Sequence, residues 1–189
     1  MSKLNDKIIR SNLIAKLTNQ NIKPKAIIEE LRIHNGNAIA DVVALYKEAH
    51  CFEIKGDGDK IKRAIKQGQY YNLAFRKITI VTTPKHLSKA EKILPPFWGI
   101  IIAEKKYDDV SLRYLRRALN NPNFDKKVAS LTLWKEEMLA LVEQEDLSLK
   151  NKNRNFLAEL ISQCKRKQQL SNEICNMLFR RHYDVNVEI

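Results

Sequence analysis

Apolar residues open the chain at helical spacing. Leu4, Ile8 or Ile9, Leu13 and Leu17 recur every three or four positions, which predicts an amphipathic helix that ends before Pro24. A second helical stretch is read over 25–31. The period then changes. "AIADVVAL" at 38–45 and "AHCFEIK" at 49–55 are β-rich runs separated only by "YKE", which predicts an antiparallel hairpin. "ITIV" at 78–81 and "GIIIA" at 99–103 are short, continuously apolar runs of the kind found in a covered sheet. Between them, 59–74 reads as a basic helix and 87–94 as a short one. All five glycines lie in the first 99 residues, so the remainder lacks the usual residue for tight turns and reads as helices over 110–119, 130–144, 153–168 and 171–182. With no internal repeat or low-complexity linker, the chain divides into an N-terminal helix (1–24), an α/β core (25–105) and a helical region packed on it (106–189).

Composition narrows the function classes. The 189 residues are 44% hydrophobic and 30% charged, far from the signature of disorder and enough for one well-buried core. A formal charge of +12 calls for an anionic partner, most simply nucleic acid. The longest apolar run, around "GIIIA", is too short to span a bilayer, and the first 20 residues lack a secretory signal pattern. Cys51, Cys164 and Cys175 form no close pairs, and the four histidines are dispersed, so neither a disulfide framework nor a zinc set is expected. The expectation is a soluble cytoplasmic protein with reduced thiols.

The hairpin carries the candidate chemistry. A turn centred on Lys47 places Leu45 opposite Ala49, Val43 opposite Cys51 and Asp41 opposite Glu53. Opposed side chains have Cβ atoms roughly 5 Å apart, and two carboxylates at that distance repel unless a cation joins them. Lys55 projects from the same face as Glu53, while Val42, Ala44, Phe52 and Ile54 fill the other. A loosely held magnesium or manganese ion suits Asp41, Glu53 and the main-chain carbonyl of Ile54, with Lys55 orienting a water or neutralising a phosphate. The competing reading pairs both acids with lysines as strand-end charges. The bare acid, any residue, lysine pattern is weak evidence, because Glu104/Lys106 and Asp125/Lys127 repeat it.

"EIKGDGDKIKRAIKQGQYY" resembles the E-x-K strand and Q-x-x-x-Y helix of the PD-(D/E)XK nuclease superfamily, and "AD" at 40–41 resembles its preceding aspartate. "EEL" at 29–31, "GNAIAD" at 36–41, "FRKITIVTTPKH" at 75–86, "LPPFWGI" at 94–100 and "LTLWKEEML" at 131–139 are similar to the bacterial sce-type family of uncharacterised proteins in that superfamily, over roughly 25–145. The resemblance implies a restriction-endonuclease-like α/β core with a central mixed sheet flanked by helices. It also implies that Asp41 and Glu53 bind metal, that Lys55 is the catalytic lysine, and that Glu30 is the acid of the first core helix. Gln67, with Tyr70 or Tyr71, falls on the helix after the catalytic strand. Ile39 departs from the pattern, which commonly has an arginine two residues before the aspartate.

Further residues have two readings each. Glu29 rather than Glu30 is the alternative inward acid. Asp59 is expected to cap the helix that starts there, with Asp57 beside it. Lys60, Lys62, Arg63 and Lys66 form either a solvated face or a track for a phosphate backbone, with Gln67, Tyr70 and Tyr71 on the same helix. Trp98 and Trp134 either stack on bases of a single strand or belong to the core, and the apolar surroundings in "PPFWGII" and "LTLWKEEML" favour the core. From Lys150 to Arg181, eight basic residues face two acids, and this stretch, with Lys165, Arg166 and Lys167 its densest part, either contacts a nucleic-acid backbone or docks on the sheet domain. These features favour a magnesium-dependent endonuclease acting on DNA, as a homodimer, with a protein partner or alone. The alternative is a nucleic-acid-binding protein that keeps the fold without turnover.

Overall fold

The computed structural model describes residues 3–107, 109–142 and 147–184. One mixed six-stranded sheet forms its centre, and its strands lie side by side in chain order. They are β1 (Ala26–Ile33), β2 (Ala38–Leu45), β3 (Ala49–Lys55), β4 (Lys77–Thr82), β5 (Gly99–Lys106) and β6 (Asp109–Arg116). β1, β2 and β3 pair antiparallel, β3, β4 and β5 parallel, and β5 with β6 antiparallel. Helix α1 (Asp6–Thr18) precedes the sheet, α2 (Lys62–Ala74) links β3 to β4, and α3 (Pro84–Ile93) links β4 to β5. Helices α4 (Lys126–Ser130), α5 (Lys135–Leu141), α6 (Arg154–Cys164) and α7 (Lys167–Asp184) form the C-terminal region.

The two faces of the sheet are covered by different parts of the chain. Two crossovers of the usual right hand that step in one direction across a parallel sheet lie on the same face. Accordingly α2, α3 and the C-terminal helices share one core with Val43, Leu45, Cys51, Ile78, Ile80, Ile100 and Ile102. On the other face α1 buries Ile9, Leu13 and Leu17 against Val42, Ala44, Phe52, Ile54, Val81, Ile101 and Ala103. Asn5 starts that helix by accepting a hydrogen bond from the Ile8 amide at 3.0 Å. Trp98 is fully buried and donates to Asn72 at 2.7 Å; its ring needs the bare Gly68 beside it, where a Cβ would come within 3.0 Å.

Several expected elements differ. Residues 25–31 are not helical but form most of β1, and 110–119 is largely β6, so the region after 106 begins with a strand. In β6, Val110, Leu112 and Tyr114 alternate onto the α1 face, a strand period that the absence of glycine does not override. Beyond Ser130, where α4 ends, only Lys135–Leu141 of the helix expected over 130–144 is helical, as α5; positions 143 and 144 lie outside the described residues. Trp134 is not a core residue, being 55% exposed. Among the described residues no helix is long and apolar enough to cross a membrane.

Candidate active site

The site forms where β3 parts from β2. Their pairing runs from Leu45↔Ala49 and Val43↔Cys51 to Val42↔Phe52, as the hairpin spacing predicts, and then stops. Strands that separate leave backbone groups needing partners, and side chains supply them here. Asp41 Oδ2 accepts from the Ile54 amide at 2.7 Å, in place of a ladder carbonyl. The Tyr71 hydroxyl, from α2, lies 2.7 Å from both the Ile39 carbonyl and Glu53 Oε2. Asp41 therefore reaches β3 through the gap rather than sitting in a regular opposed pair.

Glu53 is fully buried, between Tyr71 and Lys55. The Lys55 ammonium contacts Glu53 Oε1 and donates to the Ile54 carbonyl at 3.1 Å. Gln67 donates to the Tyr71 oxygen at 3.3 Å. Burial, and then the charge of Asp41, push the Glu53 pKa up to about 7 against the pull of Lys55. Asp41 is also raised by burial, which the Ile54 amide and Lys55 oppose. Burial and Glu53 raise the Tyr71 pKa, so the phenol keeps its proton and remains a donor.

A second group of acids lies beside it, gathered by Arg10 of α1. This guanidinium stands 3.0 Å from Asp6, 3.3 Å from Glu30, 3.5 Å from Glu29 and 3.7 Å from Asp41 Oδ1. Burial works against its charge, but Asp6 and Asp41 outweigh that and leave its pKa raised. Glu30 is not on a helix: it lies in β1 at the register position of Asp41, with a left-handed φ of 54°, between the pairs Glu29↔Val42 and Leu31↔Ala40. Its side chain is 70% exposed, and Glu29 is half exposed, so neither is an inward acid.

After β3, the loop is tied to the start of α1. The Leu4 amide donates to Asp57 Oδ2 at 2.9 Å, and the Asp57 amide donates back to the Leu4 carbonyl at 2.8 Å. Asp59 does not cap α2, which starts at Lys62; it accepts from the Gly56 amide at 2.8 Å and closes the loop on itself. Of the other Asp/Glu-x-Lys copies, Asp125 caps α4, while Glu104 and Lys106 lie at the less buried end of β5.

The basic residues divide into two places. Lys60, Lys62, Arg63 and Lys66 are exposed on the loop and first turns after Lys55, next to the site. Tyr70 is partly buried against His34, with ring centres 5.1 Å apart, and Tyr71 has no surface to offer a ligand. Lys165 is buried against Glu173 at 3.0 Å. Arg166 and Lys167 follow it, and the neighbouring Gln168 meets Arg76, which pairs with Glu48 at 2.9 Å in the β2–β3 turn. That turn is at the opposite end of β3 from Lys55, roughly 20 Å away along the strand. The structure thus does not bring Lys165, Arg166 and Lys167 to the site.

The sequence pattern gave no sign of Arg10. Its four-residue spacing from Asp6 marks an ordinary helix pair, and only the packing of α1 across the sheet brings it to Asp41. No arginine precedes Asp41 on β2, where Ile39 is 41% exposed, so the guanidinium beside the aspartate comes from another element.

The family described as bacteriophage P4 protein cII matches residues 1–187. The chain belongs to this family. Protein cII of Enterobacteria phage P4 is 26% identical over 136 residues, covering 72% of this chain and 52% of that protein. The matched segment thus spans about half the length of the phage relative. A solved protein of unknown function from Silicibacter pomeroyi is 20% identical, with a TM-score of 0.40 over 50% of this chain and 60% of that one, a likeness too slight to carry an argument.

Proposed function

We propose that this cII-family chain is a magnesium- or manganese-dependent nuclease with a restriction-endonuclease-like core, hydrolysing phosphodiester bonds in nucleic acid, DNA first among them. One observation carries the reading: a fully buried glutamate and a neighbouring aspartate each have one oxygen held by a neutral donor of the protein and one facing a cationic side chain that an ion could displace. The Ile54 amide holds Asp41 Oδ2 and Tyr71 holds Glu53 Oε2. Asp41 Oδ1 and Glu53 Oε1 are the oxygens turned to Arg10 and Lys55. Hard carboxylate oxygens beside the Ile54 carbonyl suit a small divalent ion, so the residues fit the metal. Such an ion, when bound, polarises a phosphate oxygen and lowers the pKa of a water.

The chain's own groups have separate tasks in this reading. Asp41, Glu53 and the Ile54 carbonyl bind the ion. Lys55, released from Glu53, orients the attacking water or offsets charge on the phosphate. Tyr71, steadied by Gln67, fixes the Glu53 carboxylate against the strand. Lys60, Lys62, Arg63 and Lys66 hold the backbone of the nucleic acid.

A second reading keeps nucleic-acid binding without turnover, or with turnover only in a larger assembly. It is favoured by the Arg10 and Lys55 cations, which already balance the acid pair. Cleavage of supercoiled plasmid and single-stranded circles with magnesium or manganese separates the two. Metal-dependent cutting that disappears in both Glu53→Ala and Lys55→Ala is the expected result. Salt-sensitive binding with no cutting by the wild type leaves the binding reading.

A further inference from the structure

The open edge of β1 faces a groove that the candidate active site does not use. β1 and β3 are each antiparallel to β2, so they point the same way. The end of β1 and the turn His34–Gly36 after it therefore stand at the same end of the sheet as Glu53 and Lys55. Here a cavity of about 370 Å³ opens between the strand and the C-terminal helices, lined by Leu31, Arg32, Asn35, Trp134, Arg154 and Arg181 among others. Three guanidinium groups line it, and among the described residues no carboxylate does. A second cavity of about 400 Å³ shares Leu31, Arg32, Trp134 and Arg181 and continues along β1 to Glu29 and Glu30, the acids next to Arg10.

The charges here are unequally compensated. Arg181 is paired with Glu137. Arg154 gives Nη2 to the carbonyls of Leu131 and Leu133, and among the described residues it meets no carboxylate and its buried Nε has no partner. Arg32 is exposed and engages no carboxylate among the described residues. The exposed Arg32 guanidinium, and Nη1 of the partly buried Arg154, are thus available to an anion. Trp134 lines the same cavity, 55% exposed, with the Arg181 guanidinium 4.2 Å from its ring centre. An aromatic ring held in place on one side and open on the other, next to unpaired guanidinium groups, is the arrangement that stacks a base and holds its phosphate.

We propose that this groove holds an unpaired nucleotide of a nucleic-acid strand, with its base on Trp134 and its phosphate on Arg32 and Arg154. The proposal rests on the nucleic-acid reading above and adds the form of the substrate. The cavity beside Trp134 is near the lower end of the range for small-molecule sites, which fits one nucleotide, and a base stacked on Trp134 is not paired. The strand entering the acid pair is therefore single at this point, as a free end or an unwound segment, and runs along the β1 edge toward Asp41.

The test uses Glu53→Ala, so that no strand is cut during binding, and follows tryptophan fluorescence as a short thymidine oligonucleotide or its duplex is added. Trp98 is fully buried, so the solvent-exposed signal belongs to Trp134. The expected result is quenching by the single strand and little by the duplex. In the same background, Trp134→Leu and Arg32→Ala each weaken single-strand binding on the order of tenfold, with melting temperatures unchanged. Equal affinity in all three proteins with no quenching overturns the proposal, as does equal quenching by duplex. Parallel plasmid assays keep the two ideas apart. Quenching without metal-dependent cutting by the wild type retains the groove and removes the nuclease; cutting without quenching does the reverse.

Discussion

Glu53 is the residue at which burial works hardest against charge. Its folded pKa of about 7 lies above the ordinary 4.5, so between those values the folded protein holds a proton that the unfolded chain has lost. Stability is therefore greatest below about pH 4.5 on account of this group and falls as the pH rises to 7. Above pH 7 the full cost of the buried charge is present, at most about 3 kcal/mol. Glu53→Gln removes this dependence. The variant is expected to gain on the wild type in melting temperature between pH 5 and pH 8.5, without metal, and an unchanged difference across that range would contradict the buried-charge account. The hairpin spacing made this residue legible, because Val43, Cys51 and Glu53 fall on one face and Val42, Phe52 and Ile54 on the other. What the sequence did not show is that Asp41 leaves the ladder to accept from Ile54, since the gap depends on a tyrosine 18 residues after Glu53.

Among the elements, α1 has a larger part than its place at the start of the chain indicated. It covers one whole face of the sheet, brings Arg10 to four acids, and its approach segment is bonded in both directions to the loop after β3. Gly56 permits that approach: a Cβ there would lie 2.5 Å from the Leu4 carbonyl oxygen, which is backbone and has little room to yield. Gly56→Ala is expected to cost about 1–3 kcal/mol, several degrees in a melting curve, and to loosen the Leu4–Asp57 pair. A melting temperature equal to the wild type's would show that the segment moves aside freely. The two misread strands have different causes. β1 changes inward parity around the left-handed Glu30, with Ile28 on one side and Leu31 and Ile33 on the other, so no clean alternation was there to find. In β6 the alternation of Val110, Leu112 and Tyr114 was present, and the lack of glycine outweighed it wrongly.

For the whole molecule, the formal charge of +12 was plain from composition, but its placement was not. Lys60, Lys62, Arg63 and Lys66 border the acid pair, whereas the Lys165–Lys167 stretch is by the β2–β3 turn and Lys165 is buried. Replacing Lys62, Arg63 and Lys66 together with glutamine should flatten the dependence of log affinity on log salt, by about 0.9 for each phosphate no longer neutralised on a duplex or about 0.7 on a single strand. Replacing Arg166 and Lys167 should leave that salt dependence as it was. A larger effect from the second pair would place the nucleic acid on the other end of the sheet.

The strands stand in space in the order in which they occur in the chain. A ribosome therefore releases them ready to pair one after another, each new strand meeting the last, with no gap to be filled later from a distant segment. Arg10, Asp41, Glu53, Lys55, Gln67 and Tyr71 have all been synthesised before β4 begins. The groove walls with Trp134, Arg154 and Arg181 come last. During synthesis the acids and their cations can thus assemble before the surface proposed to guide a strand toward them exists.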